Sequence, residues 1–344
     1  MHHVSNLSLS AMALLVTVGS LSGCSADPGG EASRPEESVA ATDQTLKAGD
    51  DYIAVPHARV HKSCVFEVPD GATVDNDLNV IVNGRKVARH DRCKHQAKKR
   101  NAGQNPTACP SGGSQASCWV EDNNFFGTPN AWGISWFNAL GADWEVPQSP
   151  ITFANQLIYL FPGLQDLPVT YIMQPVLQWG RSPAGGGNYW AMANWFVSAD
   201  GSAMHTPVVP VSPGTWIHGE MDALWDSCDS SGVCSWGINY AINGDWHSMT
   251  VTPGHPAAWA FKGALEAYDS SGTSFPGSCD LYPSSGTTNF VNFFASQPGP
   301  GTNEWNTRNW TGSTFVASGL PDCGFGVSDF AGSNTYDGAA YFGY

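Results

Sequence analysis

The chain has 344 residues, a formal net charge of −15 at pH 7, nine cysteines and fourteen tryptophans. So large an acid excess repels phosphate and argues against nucleic acid as a partner. The cysteine usage and the N-terminal pattern argue against a cytosolic enzyme.

The apolar run Ala11–Val18 is too short to span a bilayer as a helix, which takes roughly 20 residues. It has the length of a signal-peptide core and runs into Gly19-Ser20-Leu21-Ser22-Gly23-Cys24. The tetrad Leu21-Ser22-Gly23-Cys24 resembles a bacterial lipobox, which implies that residues 1–24 are a lipoprotein-type signal and that Cys24 carries the lipid. The alternative is an ordinary cleaved signal with an incidental cysteine. Either way an exported protein is expected: an outer-membrane or cell-surface lipoprotein, or one secreted after processing. Membrane contact is expected only through the N-terminal lipid. Residues 25–50 are rich in Ser, Ala, Glu, Gly and Pro, and bury too little apolar surface to offset chain entropy. They read as a disordered tether.

Residues 51–110 come next. Ten of the fifteen Lys and Arg lie between Arg59 and Arg100, ending in Lys98-Lys99-Arg100. Short apolar runs (Val65–Val68, Leu78–Val82) and the Asn83-Gly84 pair predict a small β unit with one hairpin. Two readings stay open: a basic pro-segment held on an acidic domain and cut near Lys98–Arg100, or a solvated basic loop or small separate domain. The Pro/Gly/Ser stretch around Asn105-Pro106 and Pro110–Gly113 reads as a linker.

Residues 111–344 carry three basic residues, Arg181, Lys262 and Arg308, against eighteen acidic ones. Strands are predicted at 157–161, 170–177, 189–197, 215–221, 236–242, 248–252 and 265–268. Turn residues part them at short intervals, and no sustained helical stripe appears. The fold class that follows is all-β, a two-sheet antiparallel β-sandwich of concanavalin or jelly-roll type preceded by the small β-containing pro-segment. Setting Cys24 aside, eight cysteines remain, an even number in an exported chain. Proximity favours Cys228–Cys234 and Cys109–Cys118, leaving Cys64–Cys93 and Cys279–Cys323. No cofactor is expected: neither a His-Glu-x-x-His motif, a P-loop nor a dinucleotide fingerprint is present, and Gly185-Gly186-Gly187 reads as a hairpin turn.

Three segments carry candidate chemistry. In Tyr171–Gly180, Gln174 and Gln178 fall on one strand face. In Asn188–Trp195, Trp190, Met192 and Asn194 share a face. Repeated amides and indoles make a poor dry core, since buried amides need partners, but a good cleft floor. In Phe261–Asp269, Glu266 stands among apolar residues, where burial would suit it to proton transfer.

In order and texture these segments resemble the eqolisin-type glutamic peptidases, with neprosin-type peptidases as a related comparison. Met173-Gln174 through Gln178-Trp179 is similar to that family's Gln-bearing strand, Ala191 through Phe196 to its aromatic strand, and Ala264-Leu265-Glu266 to its Glu-bearing strand. The resemblance spans residues 150–290 and implies a sandwich with Gln174 and Glu266 as a catalytic dyad. It also implies Gln178, Trp179, Trp190, Asn194 and Trp195 along the cleft, and a protein or peptide substrate cleaved at acid pH. Asn194 stands where the family has Glu, and Gln178 where it has Asp. The rival expectations are a carbohydrate-binding or glycan-cleaving sandwich acting on a polysaccharide, and a non-catalytic surface protein. A glycosidase would need a second carboxylate about 5–10 Å from Glu266. Glu220, Asp222 and Asp245 are the candidates.

Overall fold

The three segments with candidate chemistry are apolar- and aromatic-rich runs bounded by turn residues, and each folds as a long strand. The computed structural model describes residues 51–99, 121–127, 129, 133–269, 276–298, 303–305, 313–316, 323–330 and 338–344. The expected signal, lipobox and tether, the linker at 105–113 and the Cys109–Cys118 pair lie outside the described residues.

The chain begins with short strands: β1 (Tyr52–Val55), β2 (Ala58–His61), β3 (Val65–Glu67), β4 (Ala72–Val74), β5 (Asn79–Val82), β6 (Arg85–Arg89) and β7 (Lys98–Lys99). Next are β8 (Glu121–Phe126), β9 (Ala139–Glu145), β10 (Leu157–Gln165), β11 (Tyr171–Ser182), β12 (Gly185–Ser198), β13 (Ala203–His205) and β14 (Val209–Val211). Then come β15 (Trp216–Leu224), β16 (Ser235–Ile242), β17 (Asp245–Val251) and β18 (Trp259–Tyr268). Last are β19 (Thr287–Pro298), β20 (Asn303–Trp305), β21 (Ser313–Val316), β22 (Gly326–Phe330) and β23 (Gly338–Gly343).

They form two large sheets and a small one. The first runs β21-β8-β18-β10-β11-β12-β13-β3, with β14 beside β12. The second runs β22-β23-β19-β9-β15-β16-β17-β4-β5-β6, with β20 beside β19. The small sheet is β1-β2-β7. The expected all-β sandwich is present, and each predicted strand of the 157–268 region lies at its place, mostly longer than its signature. The Asn83-Gly84 turn joins β5 to β6 with both residues at positive φ, 50° and 73°. The turn between β11 and β12 is Pro183-Ala184, so Gly185–Gly187 open β12 instead of forming the turn.

The main core fills the space between the sheets. Met173, Leu177, Met192, Leu160 and Leu265 of the first sheet meet Trp144, Met221, Ile238, Tyr240 and Phe290 of the second. Full burial of each such side chain contributes roughly 1.5–3 kcal/mol. The opposite face of the first sheet is covered too. Tyr159, Phe161, Val176, Trp195 and Phe261 form a second cluster with Ala54, Val55, Ala58 and Val60 of the β1–β2 hairpin. This double cover explains why β10 and β18 are buried along their whole length.

Residues 51–99 join the sandwich by strand pairing. Strand β3 pairs in parallel with β13, and β4 in parallel with β17, so the segment caps an edge of each sheet. The sandwich strands themselves pair antiparallel. Across this junction Asp70 of the N-terminal segment accepts from the His247 ring at 2.7 Å and from Ser248 N–H at 2.7 Å. Gly201 (φ 97°) lets the junction close, because a Cβ there would meet the His95 carbonyl oxygen at 1.9 Å. Disulfides join Cys64–Cys93, Cys228–Cys234 and Cys279–Cys323, as the pairing by proximity and remainder anticipates.

Candidate active site

Strand register fixes which side chains meet. Tyr159 on β10 lies opposite both Glu266 on β18 and Gln178 on β11, giving a row Gln178–Tyr159–Glu266 across the first sheet. Two pleat repeats away along β11, Gln174 lies opposite Trp195 on β12. These residues are on the face turned away from the second sheet, under the β1–β2 hairpin, and all are fully buried there.

The hairpin tip brings Gln174 and Glu266 to one chemical group. Gln174 Nε2 donates to the Pro56 carbonyl oxygen at 3.3 Å. The next backbone N–H, that of His57, donates to Glu266 Oε2 at 2.9 Å. Amide and carboxylate therefore grip the two ends of the same Pro56–His57 peptide bond. Tyr268 O–H donates to the same Glu266 oxygen at 3.3 Å, and Tyr159 O–H donates to the Ala54 carbonyl at 3.3 Å. A buried carboxylate is costly unless hydrogen-bonded, and His57 and Tyr268 supply those bonds. Gln174 Oε1 has no hydrogen-bond partner among the described residues.

The other expected cleft residues divide by face. Trp195 sits on the cleft side. Gln178 is also on that face but its amide is spent locally: Nε2 donates to the Gly185 carbonyl at 3.0 Å and Oε1 accepts from Ser182 Oγ at 2.9 Å, which braces the β11–β12 turn. Trp179 and Trp190 do not line the cleft. They belong to the core between the sheets and pack edge-to-face at 5.5 Å. Asn194 also faces inward, donating to the His247 carbonyl of β17 at 3.2 Å. The reason is parity: Trp190, Met192 and Asn194 alternate with Ala191, Ala193 and Trp195, and only the latter set reaches the cleft. Lys262, near Glu266 in sequence, bonds Asp329 on β22 and lies 5.6 Å from the Phe293 ring centroid. Burial pushes its ammonium pKa down against that ion pair.

The carboxylates that might have served a glycosidase lie elsewhere. Glu220 and Asp222 are on β15 of the second sheet, alternating with Ile217, Met221 and Ala223, which face the core. Their side chains therefore leave the opposite side of the sandwich from Glu266, with two sheets about 10 Å apart between them. Asp245, on β17, also belongs to the second sheet. On that outer face His218 bonds Asp143 at 2.6 Å and Glu220 at 3.2 Å, and those bonds raise its pKa to about 9. Burial, then repulsion from Glu220, raises Asp222 to about 7.

Tyr159, Tyr268, Pro56 and His57 complete the site beyond the residues expected from sequence. Tyr268 had a signal, since it is two residues from Glu266 and so on the same face. Val55-Pro56-His57-Ala58 had another, a proline between two apolar runs that reads as a turn. Tyr159 had none, because its place depends on pairing with two distant strands.

Solved structures give a remote resemblance. Scytalido-glutamic peptidase with a peptide-based transition state analog has a TM-score of 0.41 at 12% identity, covering 66% of this chain and 98% of that one. Scytalido-glutamic peptidase with a transition state analog inhibitor gives 0.42 at 13%, covering 66% and 97%. SCP-B, a member of the Eqolisin family of peptidases in a complex with the tripeptide Ala-Ile-His, gives 0.39 at 12%, covering 66% and 98%. No family model and no curated protein matches the sequence.

Proposed function

We propose that the chain is a glutamic-type acid endopeptidase, exported and either anchored at the cell surface through Cys24 or secreted after processing. One observation carries the reading of the chemistry: Gln174 and Glu266 hold the carbonyl oxygen and the N–H of a single peptide bond. In catalysis a substrate peptide replaces the hairpin tip. Water attacks the carbonyl carbon while the Glu266 carboxylate takes its proton, then passes it to the departing nitrogen as the C–N bond breaks. The Gln174 amide donates to the oxyanion that develops on the carbonyl oxygen, which is worth roughly 3–4 kcal/mol. Trp195 and Phe261 flank the substrate. Tyr268 holds the Glu266 carboxylate in place.

Export is supported by the three disulfides, which persist in oxidising compartments. Low pH suits a chain with a net charge of −15, because neutralised carboxylates relieve its self-repulsion. The test is to incubate the chain, with its hairpin displaced, with a denatured protein at about pH 3–5, where carboxylates titrate. Mass spectrometry should find new peptide termini in the substrate. A preparation that folds, displaces its hairpin and still makes no new termini at any pH would sink the reading.

A further inference from the structure

The hairpin Tyr52–His61 does more than cover apolar surface. Its two-residue turn has Pro56 first and His57 second, and His57 stands at φ 71°. A proline followed by a residue at positive φ is the pattern of a type II turn, in which the second position favours glycine. A histidine there is strained, and the surrounding contacts must offset that strain. Those contacts come from three adjacent strands of one sheet. Tyr159, Gln174 and Glu266 take the Ala54 carbonyl, the Pro56 carbonyl and the His57 N–H. Val55 and Ala58, on either side of the turn, are buried in the cleft cluster.

We propose that this hairpin is a tethered pseudo-substrate inhibitor, with the Pro56–His57 peptide group seated where a substrate's scissile bond goes. This rests on the peptidase reading above and adds how the site is kept silent. The contact that resembles a substrate also prevents reaction. Hydrolysis needs a water molecule between the carboxylate and the carbonyl carbon. Here Glu266 Oε2 bonds the amide N–H directly at 2.9 Å, so that oxygen is turned to the nitrogen and not to a water over the carbonyl carbon. The bond is gripped without being cut.

The rest of the segment acts as the clamp. Strand β7 flanks β2, pairing Lys98 and Lys99 with Arg59 and Ala58. The Cys64–Cys93 disulfide and the pairings of β3 and β4 with the sandwich secure the following residues. A cut near Lys98–Arg100 severs the chain beside the hairpin's third strand, loosening the tip while the strands capping the two sheet edges stay paired.

The experiment uses the full chain carrying Val55→Asp and Ala58→Asp, which place carboxylates in the apolar cleft and expel the tip. A tethered segment acts at about millimolar effective concentration, so displacing it should raise peptide hydrolysis on the order of a hundredfold or more. A cyclised peptide with the sequence of residues 52–61, added in trans, should inhibit the opened chain competitively. His57→Pro is the companion variant, since it deletes the N–H and cannot adopt φ 71° without burying any charge. Wild-type activity equal to that of folded opened variants, with no inhibition by the peptide, overturns this inference and leaves the peptidase reading standing. Folded opened variants as inactive as the wild type overturn both.

Discussion

Replacing Gln174 with alanine separates an oxyanion donor from a residue that merely packs. The Gln174–Pro56 contact is 3.3 Å, the long end for an N–H···O bond to an uncharged carbonyl. Such a bond adds little to ground-state binding. As the carbon becomes tetrahedral, the oxygen gains charge and the bond tightens toward about 2.7–3.1 Å, so the stabilisation is concentrated in the transition state. The expected loss is about 2.7–4 kcal/mol, or roughly a hundred- to thousandfold in kcat, with KM nearly unchanged. Stability should fall by only about 1 kcal/mol, because the change also removes a buried amide oxygen that has no partner among the described residues. The assay is kcat and KM on a fluorogenic peptide, in the hairpin-opened background, with urea unfolding as the control for folding. Gln174→Glu should keep part of the activity at low pH, where a protonated carboxyl can donate, and lose it as pH rises. An unchanged kcat, or a loss confined to KM, would refute the oxyanion role.

The His218 cluster makes a prediction about stability. A folded-state pKa of about 9 against an unfolded 6.5 means that its contribution is complete below about pH 6.5 and lost as pH rises through 9. The full linkage would be about 3.4 kcal/mol, and partial exposure discounts it to about 1–2. His218→Ala should therefore destabilise by that amount at pH 6 and flatten the decline in the urea midpoint between pH 7 and 9.5. An unaltered pH profile would contradict it. Gly201→Ala should loosen the N-terminal segment, since the new Cβ meets the His95 carbonyl and the backbone sits at φ 97°. Faster deuterium exchange at Val65–Glu67 than at β16 would report it, and unchanged exchange would count against the clamp. Cys24→Ala should move the protein from membrane to soluble fractions, and unaltered fractionation would show the tetrad to be incidental.

The sandwich was legible because turn residues part its strands at short intervals and no helical stripe interrupts them. In Tyr171–Ser182, Met173, Leu177 and Trp179 face one way and Gln174, Val176 and Gln178 the other. The same alternation separates Trp190 and Asn194 from Trp195, so the two could not both line one cleft. Which set faced the cleft was undetermined until β11 and β12 were in register. Strand β9 gave little signal because Ala-Leu-Gly-Ala-Asp-Trp-Glu lacks β-branched residues. Its middle glycine is required by packing, since a Cβ at Gly141 would lie 2.4 Å from the Phe294 ring. The hairpin's seat over the dyad was illegible for a different reason. Its partners lie more than a hundred residues away, at sequence separations of 105, 118 and 209, and such contacts leave no local pattern.

Glu266→Gln tests the central claim most directly. The amide keeps the shape of the carboxylate and can still accept from His57 N–H and Tyr268 O–H, so folding and burial should be preserved. It cannot take a proton from water. Measured in the hairpin-opened chain on a denatured protein at about pH 3–5, where carboxylates titrate, hydrolysis should fall by about a hundred- to ten-thousandfold, the span of a lost general base. Full activity in a folded Glu266→Gln chain would contradict the assignment of the base and, with it, the chemistry proposed for this cleft.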